Sequence, residues 1–323
     1  MMNKRILLLL LIIVPFIANA QYKGQRGAHG KYHRSNFAKK NRVKKEYVIG
    51  LGAANFLGEL GGANQIGTNF VRDLEFSTTR PSFALGYRYK FSPRFAAKGG
   101  FYYQLVSGND KLTKEPFRNN RNLSFRSHIF ELSVQCEFYI TREQTGHRYK
   151  IKNAKGMKSY DFQAYLFVGI GGFYFNPQAK YRGSWVNLRP LSTEGEGMAG
   201  GPKKYSPFSV CIPYGIGVKK AINRDWSIGL ECGIRKTFTD YIDDVSTVYY
   251  DNAALRAAKG DVAGDLADPS LANYPAELGG CAGCDQTATG QQRGDKKDKD
   301  AYMFMNVTVA YKIPYKRRTR SKF

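Results

Sequence analysis

The residues of this chain best suited to chemistry are its five cysteines and a few tight clusters of acids and bases. Cys281-Ala282-Gly283-Cys284 has the C-x-x-C spacing used by redox and metal motifs. No thioredoxin-like βαβ pattern surrounds it, and no second C-x-x-C completes a zinc set. Cys281 and Cys284 therefore read as a local loop disulfide, or as the thiols of a bond to another subunit. The other three, Cys136, Cys211 and Cys232, leave an odd total, so in an exported chain at least one thiol is unpaired or bonded elsewhere. Asp240-Tyr241-Ile242-Asp243-Asp244 could hold calcium but lacks the Gly-spaced ligand loop that calcium sites use, and is expected to be a solvated acidic loop. His29 and His33 lie in a basic segment without carboxylate or thiol neighbours. Gly50-Leu51-Gly52 and Gly169-Ile170-Gly171-Gly172 look like pieces of nucleotide-binding loops, but no helix follows either, which makes them strand glycines. No Ser/His/Asp or Cys/His set is recognisable. No catalytic, cofactor or metal residue is assigned.

The elements that carry these residues are strands. Along Ser82–Phe91, Phe83, Leu85, Tyr87, Tyr89 and Phe91 take one face, and Ser82, Ala84, Gly86, Arg88 and Lys90 the other. Seven further stretches alternate in the same way, near Tyr47–Phe56, Phe95–Val106, Ile129–Thr141, Asp161–Phe175, Phe208–Lys219, Trp226–Phe238 and Ala301–Ile313. Alternation with period two cannot serve a membrane helix, but it suits a barrel with lipid outside and a polar lumen inside. The negative mean hydropathy excludes a helical membrane protein, yet fits a barrel that shows only every second residue to lipid. The 22 Tyr and 21 Phe fit interfacial girdles. The expected fold is all-β: an eight-stranded, antiparallel, up-and-down outer-membrane β-barrel with long extracellular loops.

The ends of the chain fit export. Asn3-Lys4-Arg5, the apolar run Ile6–Ile17 and Ala18-Asn19-Ala20 form a signal peptide over residues 1–20, cleaved before Gln21. Residues 21–45 make a basic tail with nine Lys/Arg and no acid, residues 46–314 the barrel, and residues 315–323 a second basic tail. Short connections at Ser92–Arg94 and Ile222–Asp225 alternate with long ones, which places both termini and the short turns in the periplasm. Arg142–Ser159 is long on the short-turn side and reads as a periplasmic insertion carrying Arg148, Lys150, Lys152, Lys155 and Lys158. With a net charge of +24, nucleic acid would be the usual partner of such patches. Export argues against it and favours acidic protein surfaces, lipid or lipopolysaccharide. Inside, Arg88, Lys90, Lys98, Lys219, Arg235 and Lys312 face Glu131, Glu137 and Glu231. An eight-strand lumen is only wide enough for side chains, so these charges must pair and plug it. Gly169, Gly171, Gly215, Gly217, Gly229 and Gly233 share that face, where they are expected to make room for the long charged side chains.

Several segments go beyond pattern. Gly50-Leu51-Gly52-Ala53-Ala54-Asn55-Phe56-Leu57-Gly58-Glu59-Leu60-Gly61-Gly62, Gly108-Asn109-Asp110-Lys111, Arg118–Leu123, Gly200–Tyr205 and Arg235–Ser246 resemble the PorG-like outer-membrane barrels of the type IX (Por) secretion system. The resemblance covers about Tyr47 to Tyr250 and the final strand. It implies a non-enzymatic outer-membrane component of a protein-export and gliding machine, associated with a periplasmic ring of a lipoprotein and its soluble partner. No family role carries onto residues 252–300 or the N-terminal tail. Two rivals stand beside it: a structural or adhesive barrel whose outer loops bind external ligands, and an outer-membrane hydrolase.

Overall fold

In a strand one face can meet lipid while the other meets a lumen, and that constraint organises the whole molecule. A computed structural model describes residues 45–58, 60, 76–112, 116–141, 162–223, 225–271, 287–296 and 298–313. The strands are β1 Lys45–Leu57, β2 Arg80–Lys90, β3 Phe95–Asn109, β4 Ser124–Tyr139, β5 Phe162–Tyr181, β6 Ser184–Asn187, β7 Phe208–Ala221, β8 Trp226–Thr237 and β9 Ala301–Lys312. They run β4-β3-β2-β1-β9-β8-β7-β5, every pairing antiparallel, and β4 pairs with β5 to close the ring. The fold is a closed eight-stranded outer-membrane-type β-barrel. Closure leaves no sheet edge within the ring.

Burial alternates along the strands. Ile49, Leu51, Leu85, Leu132, Val134, Ile170, Ile216, Leu230, Val307 and Val309 all point outward, with Ile170 74% exposed. So wide an apolar surface is far larger than a water-soluble monomer carries and fits a hydrocarbon surround. Aromatic residues fringe it near the chain termini, where Tyr47–Tyr87, Phe95–Phe138 and Trp226–Tyr311 pack in contact. A second group, including Tyr174 and Phe208, lies nearer the long loops. No described helix is long and apolar enough to cross a membrane, a statement that does not bear on strands.

The strands differ from the sequence expectation most at β4 and β5 and in one added strand, with β3 also running on to Asn109. β4 begins at Ser124 instead of Ile129, β5 continues past Phe175 to Tyr181, and β6 adds a short ninth strand paired only with β5. Here the ladder leaves the apolar band and is held by polar pairs: Arg126 Nε donates to Gln178 Oε1 at 2.9 Å, and Gln178 Nε2 to Asn187 Oδ1 at 2.8 Å. Arg126 also stacks 3.8 Å over the Trp185 ring. Alternation of hydrophobicity ends where lipid ends, so such an extension carries no period-two signal. The loop after β8 contains two helices, α2 Asn252–Lys259 and α3 Asp261–Ala267, and a shorter α1, Pro116–Arg121, precedes β4. Asp251 caps α2 by accepting from Ala253 N at 3.0 Å, and Leu255, Ala263 and Ala267 pack together beneath the pair.

The inward glycines serve rings more than charges. A Cβ on Gly217 would lie 2.2 Å from the Tyr165 ring, and one on Gly233 2.7 Å from Phe167 and 2.8 Å from Phe304. Small residues on β7 and β8 thus admit aromatic side chains from β5 and β9. Gly169, Gly171 and Gly229 face no ring: Cβ atoms there would meet backbone and the side chains of Gln135, Ser133, Cys211, Thr308 and Lys219.

Candidate functional site

Inward positions on six strands converge on one buried ionic network at the terminal end of the barrel. Arg88 on β2 is its hub: Nη1 lies 3.0 Å from Glu46, Nε 2.7 Å from Glu137 and Nη2 3.0 Å from Glu231. Lys98 reaches Glu231 at 2.7 Å and Glu137 at 3.8 Å. Lys219 and Lys90 both reach Glu46, at 2.8 and 3.0 Å. Tyr139 donates to Glu137 at 2.7 Å and Tyr165 to Glu231 at 2.6 Å. Three carboxylates therefore meet four cations, and Arg88, Lys98, Glu46, Glu137 and Glu231 are all buried. Only such mutual pairing makes burial of these charges tolerable.

The sequence places Arg88, Lys98, Glu131, Glu137, Glu231 and Arg235 in one set; the structure divides them. Glu131 and Arg235 form a separate pair at 2.9 Å, joined by Tyr302, whose hydroxyl donates to Glu131 at 3.1 Å. Tyr102 stands between the two groups, its ring 5.9 Å from Lys98 Nζ and 4.7 Å from the Arg235 guanidinium. Glu46 escaped the sequence reading. It sits one residue before the assigned first strand, although its parity with Val48 and Gly50 already marked it as inward. Lys312 is buried opposite Glu46 in the β1–β9 register.

Phe173 and Tyr302 lie level with the Glu131 pair and Phe175 above it, while Phe304 and Phe167 fill the lumen below it, the Phe167 ring 5.5 Å from Lys98 Nζ. The long loops then close over the lumen as an acidic cap. Glu194 accepts from Ser246 N at 2.8 Å, Thr247 N at 3.0 Å and Thr247 Oγ1 at 2.6 Å, and pairs with Arg293 at 3.0 Å. Asp244 accepts from Thr193 Oγ1 at 2.6 Å and from the Tyr205 hydroxyl. Asp240 accepts from Ser246 Oγ at 2.7 Å, and Asp300 from Ile242 N at 2.9 Å. The Asp240–Asp244 cluster is therefore not the solvated loop expected: Asp240, Asp243 and Asp244 are all buried, because neighbouring loop segments supply N–H groups, hydroxyls and one arginine. Burial pushes the Asp240 and Asp244 carboxyls up to about 6, with Arg293 opposing the rise at Asp244. Glu196 rises further, to about 8, through burial first and then the charges of Asp244 and Glu194. Among the described residues no three His, Cys, Asp or Glu groups are placed to hold a metal ion.

Cys136 is exposed on the outer face, Cys232 half-buried and Cys211 buried, all as free thiols. Cys281, Cys284, Arg148, Lys150, Lys152, Lys155, Lys158, both basic tails and the signal segment lie outside the described residues.

Residues 35–259 match the family described as "Domain of unknown function (DUF6089)". No curated protein matches the sequence. Among solved structures the chain is similar to Neisserial surface protein A, at 7% identity and a TM-score of 0.37, with 84% of this chain and 98% of that one covered. It is similar to the N-terminal β-barrel domain of Pseudomonas aeruginosa OprF at 7% identity and 0.33, covering 83% and 96%. It is also similar to Yersinia pestis Ail in complex with the heparin analogue sucrose octasulfate, at 10% and 0.32, covering 83% and 97%. At these scores the closed strand ladder, and not the likeness, establishes the fold.

Proposed function

The chain belongs to the DUF6089 family, and from that premise we propose that it is a non-enzymatic outer-membrane barrel of the type IX secretion and gliding machinery, docking periplasmic ring subunits at the membrane. The observation that carries this reading is the filled lumen. Buried ion pairs at one end, an aromatic layer in the middle and a loop cap at the other leave no bore through the described barrel. A barrel without a bore works at its rims. The segments that resemble PorG-like proteins favour the periplasmic rim, where Gln21–Lys45, Arg142–Ser159 and Tyr315–Phe323 bring three basic stretches together by strand counting. Such a rim suits a partner with an acidic surface, and its charge pairs weaken with salt over a Debye length of about 8 Å. The partners we assign are the ring lipoprotein and its soluble companion, with lipopolysaccharide and lipid around the barrel.

Reversal of Lys150, Lys152, Lys155 and Lys158 to Glu tests the assignment. The barrel should stay inserted and heat-modifiable while co-purification of ring proteins and cargo export fall. Normal recovery and normal secretion in the inserted variant would remove this insertion as the docking surface. A structural or adhesive role at the outer face is the second reading. It is favoured by the β5–β6 hairpin beyond the apolar band, which presents Trp185 under Arg126.

A further inference from the structure

The acidic cap contains one carboxylate that its neighbours do not accommodate as an anion. Glu196 is 3% exposed, and its Oε1 has no hydrogen-bond partner. Oε2 receives a long 3.3 Å contact from Glu194 N, and the carboxylate is otherwise met by its own backbone N–H. Charged and titratable groups face it from several segments, with Arg189 beside Tyr205 through a 3.2 Å bond to its carbonyl. Glu194 and Tyr205 come from its own segment, Asp244 and Tyr241 from the segment after β8, and Arg293 from the segment before β9. Arg293 is already engaged: its Nη1 contacts Glu194 at 3.0 Å and the Asp244 carbonyl at 2.7 Å. Glu194 accepts from backbone N–H groups and a hydroxyl, and Asp244 from two hydroxyls, so both already have donors that Glu196 lacks. An ionised Glu196 would add a further buried negative charge beside Glu194 and Asp244, with Arg293 already shared between them and one oxygen unsolvated.

We propose that Glu196 carries a proton while the cap is closed, and that loss of this proton separates the three loop segments and opens the outer mouth above the aromatic layer. The contacts that would part are the ones joining different segments: Glu194 to Ser246 and Thr247, Arg293 to Glu194, and Asp244 to Thr193 and Tyr205. The barrel wall beneath, paired strand to strand, takes no part.

The direction follows from linkage. The closed cap holds the Glu196 proton up to about pH 8, whereas an opened, solvated Glu196 would return to its ordinary value of 4.5. Closed cap therefore binds protons more tightly than open cap, and closure is favoured at low pH and lost as pH rises. One linked proton changes the opening constant about tenfold per pH unit between those two values and leaves it constant above. Asp244 and Asp240 act in the same direction, but only below about pH 6. The interval from pH 6.5 to 8 belongs to Glu196.

Hydrogen exchange on the full-length protein in lipid vesicles tests this. Protection factors, corrected for intrinsic rates, are read at the amides of Ser246 and Thr247. They should fall roughly tenfold per pH unit from 6.5 to 8 while strand amides of β1 and β9 stay constant. Glu196→Gln should flatten that dependence and hold the pH 8 value at the wild-type pH 6.5 level. A flat profile in the wild type overturns the proposal, as does an unchanged slope in Glu196→Gln. Should that variant fail to insert, the wild-type slope alone decides, because the raised values of Asp240 and Asp244, about 6, lie below that window.

Discussion

Replacing Glu131 by Gln would isolate Arg235 inside the barrel. Both residues are fully buried, and Arg235 Nε contacts Glu131 at 2.9 Å. Its Nη1 has no acceptor even in the intact protein, so Glu131 is the anion on which its burial depends. Removing one partner of a buried pair typically costs about 3–5 kcal/mol, because an uncompensated charge stays behind. The Phe304 face at 3.8 Å and the Tyr102 face at 4.7 Å return part of that, about 2 kcal/mol when desolvated. The net loss should be about 1–3 kcal/mol, roughly five- to 150-fold in the folding equilibrium. The double variant Glu131→Gln with Arg235→Met removes the stranded charge and should recover most of the loss. Urea unfolding in lipid vesicles, followed by tryptophan fluorescence and gel mobility, measures both. The reasoning fails if Glu131→Gln unfolds within about 0.5 kcal/mol of wild type, or if the double variant is no more stable than the single one.

Purified barrel in a planar bilayer should show no sustained porin-like conductance, since the ion pairs and aromatic layer fill the lumen; large steady currents would refute the filling. Gly217→Val should destabilise the barrel by about 1–3 kcal/mol in the same urea assay, because a Cβ there meets the Tyr165 ring at 2.2 Å. A membrane-permeant maleimide should modify Cys136 in native barrel and leave Cys211 unmodified until unfolding, read by peptide mass spectrometry; the reverse pattern would invert the assigned faces. The same maps should find Cys281 and Cys284 oxidised, to each other or to another chain, and both as free thiols in native membranes would rule that out.

The barrel is legible in the sequence because period-two alternation maps directly onto which medium each side chain meets. Within the apolar band the contrast is sharp, as along Phe83–Phe91, and the strands fall where that pattern puts them. Beyond the band the contrast vanishes. Ser124–His128 and Asn176–Tyr181 are polar or mixed on both faces, and their pairing depends on partners such as Gln178 and Asn187 that only the three-dimensional register brings together. The lumen charges are legible as a group but not as two tiers, because inward parity does not report height along the barrel. The cap is the least legible part. Glu194 lies in the connection before β7, Asp244 and Arg293 far apart in the connection between β8 and β9, and charge alone makes them look like solvated loop residues. Burial comes from loops packing on one another, which leaves no periodic trace.

The distribution of charge along the barrel axis argues that its two ends do different work. At the terminal end the excess is positive: four cations share three carboxylates inside, and the undescribed segments assigned to that rim are basic. At the loop end it is negative, with Glu194, Glu196, Asp240, Asp243 and Asp244 gathered around one arginine. Each network is nearly closed on itself, and the Glu131–Arg235 pair with its aromatic layer stands between them. A charge change at one end is therefore met by its own partners before it reaches the other. On the proposed reading, an acidic partner held by the basic segments would leave the cap undisturbed, and a response of the cap to pH would leave the strands in place. A barrel with one continuous ionic core would couple the two. In this one the self-paired Glu131–Arg235, with Phe173, Phe175 and Phe304 around and above it, lies between them.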